Sequence, residues 1–392
     1  MISPVLSTTS ALSVNIRYCG IQSWNSVSIS SSESVASQAM PTSGTLSKLY
    51  VQMQSAPGGV ATRIFTIVKN GADTACTCTV TGAGTTASDL SNSISYVKGD
   101  TFSLKTDFTG SPVSAQLLFS VQLDQTGQSI LSGDVAQPSQ TVTNYYPLQQ
   151  GQVTATVPTV GSVIPTAGTI SNLYFDCTSN AGAGKSWTIT LVKNGVDSAL
   201  TAQVTGATAT FAEDTTHSVS VVQGDVVYWK IVPAGTPNNR NPSIGCIFTP
   251  TTDGESIQTY SGISNVSNSA TNYQGVGGMS AWNATESSAA NLISVVATTK
   301  KLTIVTANAP GVGKSYTFTG RIASADTTLV AAVTDANTTA SDNTHTGTTA
   351  VGNLVSVKSV PSGTPTATPV GWGFVTYIAP DASSDGNFFL FF

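Results

Sequence analysis

Charge is scarce in this sequence. Only 9% of its 392 residues are Asp, Glu, Lys or Arg, and 15 basic against 20 acidic side chains leave a formal charge of −5. Lys300-Lys301 is the one adjacent pair of positive residues, so the many phosphate contacts that hold nucleic acid have no source, and nucleic acid is excluded as a partner. Apolar runs of membrane-spanning length are missing, and Met1 to Ala11 has neither the basic nor the apolar region of a signal peptide. Neither a membrane partner nor general export is therefore expected. Two histidines and no recurring acid pair give no support to a catalytic triad, a glycosidase carboxylate pair or a metal site, so the expectation is a protein without enzymatic activity or cofactor. Long amphipathic helical stretches are also lacking.

Cysteine is scarce and uneven. Cys19, Cys76, Cys78, Cys177 and Cys246 are odd in number and form no disulfide framework. Cys76 and Cys78 stand two apart on an expected strand, which places them on one face and argues against a bridge between them. Cys177 and Cys246 could be joined if their strands face each other; two small buried thiols are the favoured reading.

Serine and threonine are abundant, together more than a quarter of the chain, and 40% of residues are hydrophobic. Solubility must then come from hydroxyls and exposed backbone, a composition that suits β structure and conflicts with disorder. The pattern that organises these residues is a repeat. Ala167 to Phe175, Trp187 to Gly195, Ser218 to Asp225 and Ala234 to Pro237 are matched upstream by Ser43 to Val51, Phe65 to Gly71, Ser93 to Asp100 and Thr109 to Pro112. Downstream, Leu302 to Val305, Ala309 to Tyr316, Ala350 to Asn353 and Ser362 to Pro365 form a degraded third copy. A period of about 125 residues is a domain, not a solenoid turn.

Each block alternates apolar and polar residues between turn formers, the form of a half-buried strand. Lys69-Asn70-Gly71 and Lys193-Asn194-Gly195 predict type I′ hairpins, and Gly99-Asp100 and Gly224-Asp225 a second turn. The expected fold is all-β: three tandem antiparallel β-sandwich, jelly-roll-like domains over 1–125, 126–250 and 251–392, the last with a C-terminal apolar strand. Opening strands are expected at Asn15 to Tyr18 and Ser26 to Ile29, at Asn144 to Pro147 and Gln152 to Val157, and near Asn272-Tyr273. The stretches Asp124 to Thr143 and Pro250 to Thr271 read as connections that can donate a strand to the following unit.

Several motifs resemble sites without completing them. Gly182-Ala-Gly-Lys-Ser186 and Gly311-Val-Gly-Lys-Ser315 end like a phosphate loop, but the first glycine is replaced by Ser179 and Asn308, and a strand follows where a helix is needed. His217 and His345 occupy equivalent places, with Asn92 or a neighbour as their counterpart, and read as exposed. Trp187, Tyr228, Trp229, Tyr316 and Phe318 read as core or interface; Trp24 and Trp282 are the better candidates for exposed contacts, with packing still the favoured reading for both. Phe388, Phe389, Leu390, Phe391 and Phe392 form an apolar run that water would not tolerate. It is expected to be buried at a subunit contact, in a homo-oligomer of trimer type.

The run Gly168-Thr-Ile-Ser-Asn-Leu-Tyr174, followed by Lys185 to Gly195, Gly224-Asp225 and Gly235-Thr-Pro237, resembles a domain type of tailed-bacteriophage structural proteins. The resemblance covers the second unit strongly, the first well and the third loosely, where Arg321 to Asp326 replaces Lys-Asn-Gly. It implies a virion structural protein of capsid-decoration, head-fibre or tail-fibre type, made in the host cytoplasm and released with the particle. Trimeric assembly, other virion proteins and host-surface glycan are the partners it implies. The alternative is a cell-surface adhesin or surface-layer protein with tandem β-sandwich domains. A carbohydrate-active enzyme would need an acidic pair that the chain does not mark.

Overall fold

The structure, a computed structural model, describes residues 2–21, 29–125, 127–134, 136–149, 154–157, 160–239, 241–275 and 281–380. It is all-β and antiparallel, and among the described residues its strands fall into three sets of nine. The first set holds β1 (Ile2–Ala11), β2 (Arg17–Gly20), β3 (Gln38–Ala39), β4 (Gly44–Met53), β5 (Thr62–Lys69), β6 (Ala72–Thr81), β7 (Thr86–Tyr96), β8 (Thr101–Thr109) and β9 (Gln116–Asp124). The second holds β10 (Ser129–Asp134), β11 (Asn144–Tyr146), β12 (Val160–Val163), β13 (Gly168–Asp176), β14 (Gly182–Lys193), β15 (Val196–Gly206), β16 (Phe211–Val221), β17 (Val226–Ala234) and β18 (Ser243–Pro250). The third holds β19 (Glu255–Gly262), β20 (Asn272–Gln274), β21 (Asn291–Leu292), β22 (Ala297–Thr306), β23 (Gly311–Ile322), β24 (Ala325–Asp335), β25 (Thr339–Thr349), β26 (Leu354–Ser362) and β27 (Val370–Tyr377).

Pairing repeats with the sets. One sheet of the first set runs β1-β9-β4-β7 and the other β2-β8-β5-β6 with β3 on β8; the same order recurs as β10-β18-β13-β16 and β19-β27-β22-β25, with partner sheets built on β17 and β26. The sets thus repeat one antiparallel pairing order, and the chain is an all-β fold of sandwich type. The pairing of β12 with β19 joins a sheet of the second set to one of the third.

The alternation explains the composition. On β6, Cys76, Cys78 and Val80 are buried while Ala75, Thr77 and Thr79 face out, so threonine supplies both β propensity and solubility. The Asn-Gly hairpins form as expected, with φ of 51° and 79° at Asn70 and Gly71 and 50° and 79° at Asn194 and Gly195. Ala323 and Ser324, with φ of 50° and 60°, make the same turn in the third set, a left-handed conformation less suited to these residues.

One core position in each set is filled by a different polar-tipped side chain. Arg63, 1% exposed, donates to the Leu12, Ser13 and Val113 carbonyls at 3.1, 2.6 and 3.1 Å. Trp187 donates from Nε1 to the Asn238 carbonyl at 3.2 Å, and Tyr316 from its hydroxyl to the Thr366 carbonyl at 3.1 Å. Val113, Asn238 and Thr366 each follow the proline of the Gly-x-Pro turn. Guanidinium, indole and phenol therefore satisfy one recurring buried acceptor.

The connecting stretches do donate strands. On β10, Ile130 belongs to the first core and Leu131 to the second; on β19, Ile257 belongs to the second core and Tyr260 to the third. The period of two sends alternate side chains into the cores on either side. Two opening strands differ from expectation. In the second set the described part of Gln152 to Val157, residues 154–157, makes one isolated bridge, Thr154 with Tyr145, and the strand that follows is β12. In the first set β2 lies at Arg17–Gly20, and Ser26 to Ser28 fall outside the described residues.

Candidate functional site

The two turn motifs that repeat in the sequence meet in space. Asn70 Nδ2 donates to Asp100 Oδ1 at 2.7 Å, and the Val97 N–H and Lys69 Nζ reach Asp100 Oδ2 at 2.8 and 2.9 Å. In the second set Asn194 donates to Asp225 at 2.7 Å, joined by the Val222 N–H at 2.8 Å and Lys193 at 2.9 Å. Burial opposes ionisation of both carboxyls, but these donors hold them below the usual carboxylate range. The third set keeps only the turn bond, from the Ala350 N–H to Asn353 Oδ1 at 2.8 Å. The motif is a clamp between two turns, with its polar atoms turned on each other.

His217 and His345 sit on β16 and β25 with their rings more than half exposed. Each ring lies 2.9 Å from the Oδ2 of a buried aspartate three residues earlier, Asp214 or Asp342. In the first set Asn92 Nδ2 donates to Asp89 Oδ2 at 2.7 Å, so Asn92 is the counterpart. Burial would raise the Asp89 carboxyl, but the Asn92 side chain and the Asn92, Thr77 and Ser91 N–H groups overcome it and hold the group at about 2. Backbone donors and the histidines depress Asp214 and Asp342 further. Each aspartate closes a bulge opposite a positive-φ residue, Lys48, Asn172 or Lys301, with φ of 59°, 52° and 57°. Among the described residues no three His, Cys, Asp or Glu side chains converge as metal ligands.

The remaining motifs resolve simply. Gly182 to Ser186 opens β14 and Gly311 to Ser315 opens β23, both as strand. All five cysteines are buried, and burial pushes Cys76 and Cys78 up to about 12. Trp187, Tyr228, Trp229, Tyr316 and Phe318 are buried. Trp282 is buried too, against Tyr260 and Phe318 at ring separations of 6.2 and 5.9 Å, so it is a core residue and not an exposed contact. Trp24 and Phe388, Phe389, Leu390, Phe391 and Phe392 lie outside the described residues.

What sequence reasoning missed is the contacts between sets. Lys98 pairs with Glu213 at 2.7 Å, joining the first set to the second. Gln223 donates to Asn343 and Thr303 at 2.7 and 2.9 Å, joining the second to the third. Ser120 donates to Ser294 at 2.9 Å, joining the third to the first. Two of these seams hold clefts. That between second and third sets, about 330 Å³, is lined by Thr166, Ala167, Gln223, Lys301 and Asn343. Beside it Glu255, fully buried, takes Lys300 and Lys301 on Oε1 at 2.9 and 2.7 Å and the Thr166 hydroxyl on Oε2 at 2.7 Å. Burial opposes its charge, and the two lysines and Thr166 hold its pKa down regardless. Between third and first sets lie a cleft of about 240 Å³, where Gln52, Gln54, Thr85 and Gln116 face Ser287 and Leu354, and one of about 220 Å³ that includes Lys48, Leu90, Gln122, Ser294, Val295 and Val351 in its lining. These clefts are the candidate sites of interaction. Set beside known protein families and curated proteins, the chain matches none.

Proposed function

We propose that the chain is a non-enzymatic virion structural protein, a capsid-surface decoration or fibre protein of a bacteriophage, with each strand set serving as one jelly-roll domain. The observation that carries this reading is the use of one antiparallel pairing order three times in a single chain. The motifs repeated with it support the reading, because Asp100, Asp225, Asp89, Asp214 and Asp342 spend their acceptor capacity on the turns and bulges of the fold. Such a module offers shape and surface to partners: other virion proteins and, at exposed tips, host-surface glycan.

The test is labelling of purified particles with antibody against the chain, followed by imaging. Regular decoration of the capsid or of an appendage is the expected result. Particles that carry no label, with the chain recovered from the envelope of uninfected cells, would favour the surface-adhesin alternative and end the virion reading.

A further inference from the structure

We infer that the three sets close head to tail into a pseudo-threefold ring within one chain, which makes the protein a single-chain equivalent of a trimer and a monomer in solution. The three seams use the same positions. Pro41, Pro165 and Ser294 each stand three residues ahead of the fourth strand of their set, at Gly44, Gly168 and Ala297. Their partners in the following set are also equivalent: Gly245 pairs with Tyr174, Gly373 with Thr303 and Ser120 with Tyr50 across the same two strands.

The packing at these positions shows why they alternate as they do. A Cβ on Gly245 would stand 3.0 Å from Pro41 Cδ, and one on Gly373 would stand 3.0 Å from Pro165 Cδ and 2.3 Å from the Val163 carbonyl oxygen. Glycine there admits the proline of the preceding set. At the third seam a serine hydroxyl replaces the proline ring, a second serine replaces the glycine, and the two bond to each other.

A second contact repeats with the same phase. The turn between seventh and eighth strands of each set reaches the fourth strand of the next: a Cβ on Gly99 would lie 3.4 Å from Tyr174 Oη, Gln223 bonds Thr303, and a Cβ on Gly352 would lie 2.8 Å from Tyr50 Oη. First touches second, second touches third, and third touches first through one unlike pair of surfaces. A heterologous contact of this kind closes into a ring when its rotation allows, and here the last contact returns to the first set. Positions that three subunits of a trimer would use between chains are used up inside one, so the inference sets an internal ring in place of the homotrimer expected from the sequence.

The inference concerns the purified chain and stands or falls independently of the virion reading. Oxidation of a Ser120→Cys, Ser294→Cys double variant should join residues whose hydroxyls lie 2.9 Å apart and give a faster-migrating, single-chain species on a non-reducing gel, while the parent with its five buried cysteines does not change. Disulfide-linked dimers or trimers, or no bridge in a folded variant, would overturn the closed ring. Should the variant fail to fold, light scattering on the unmodified chain decides: a mass of 40.0 kDa is expected, and three times that mass refutes the inference.

Discussion

The seam between second and third sets and the seam between third and first exchange polar for apolar side chains at several matching positions. Asn343 in the one corresponds to Leu90 in the other, Thr166 to Val295, Ala167 to Val296 and Gln223 to Val351, around the equivalent lysines Lys301 and Lys48. Lys301 is held by the buried Glu255, whereas Lys48 donates to the Leu90 carbonyl at 3.0 Å. The first of these seams is also held by the β12–β19 pairing and by the chain running from β18 into β19. Directional bonds suffice where the arrangement is already fixed. The other seam joins sets that are not consecutive, and there Leu90, Val295 and Val351 add apolar contact, which attracts without needing register, beside the Ser120–Ser294 bond.

The largest expected effect is on the polar seam. Glu255→Ala leaves Lys300 and Lys301 without their shared carboxylate, and urea unfolding should show a loss of about 3 kcal/mol or more. Lys48→Ala should cost less than about 1 kcal/mol. Equal losses would erase the distinction between the seams.

Acid should separate them next. Glu255 titrates lower in the folded chain than in the unfolded one, so its contribution is complete above the ordinary glutamate value of about 4.3 and is lost as pH falls through the lower folded value. Hydrogen exchange between pH 5 and 2 should therefore show β19 losing protection before β21. Asp89, Asp214 and Asp342 have the same sign and weaken all three sets together. Simultaneous loss at β19 and β21 would mean that these bulge carboxylates, not Glu255, set the acid limit.

A smaller effect tests whether the chemistries can be exchanged. Leu90→Asn and Val351→Gln should each cost about 1 kcal/mol, since both side chains are partly exposed. The double variant recreates the Gln223–Asn343 pair, and a double-mutant cycle should return about 0.5 kcal/mol or more of favourable coupling. Additive losses would show that the apolar seam cannot accept that geometry.

The parts of this fold written in local residues were legible. Asn70-Gly71 and Asn194-Gly195 announce hairpins because few residue pairs accept two positive φ values, while Ala323-Ser324 hides the third because tertiary pairing of β23 with β24 imposes the turn. The shared role of Arg63, Trp187 and Tyr316 was invisible, since no property of guanidinium, indole and phenol aligns except a donor at the right reach. The seams were equally hidden. Pro41 and Pro165 read as ordinary turn formers, and what matters about them is a glycine some 200 residues farther along. Trp282 was a candidate for contacts through its place in an opening segment, and its neighbours in space, Tyr260 and Phe318, bear out the packing reading.

The strands β10 and β19 carry a further consequence. Because Ile130 and Leu131 enter different cores, as Ile257 and Tyr260 do, the second set cannot lose β10 without stripping Ile130 from the first core, nor the third lose β19 without stripping Ile257 from the second. Sandwiches strung on plain linkers would denature one after another, each at its own temperature. Here the heat-absorption profile should collapse toward one sharp peak, with a calorimetric enthalpy close to the van't Hoff value for the whole chain.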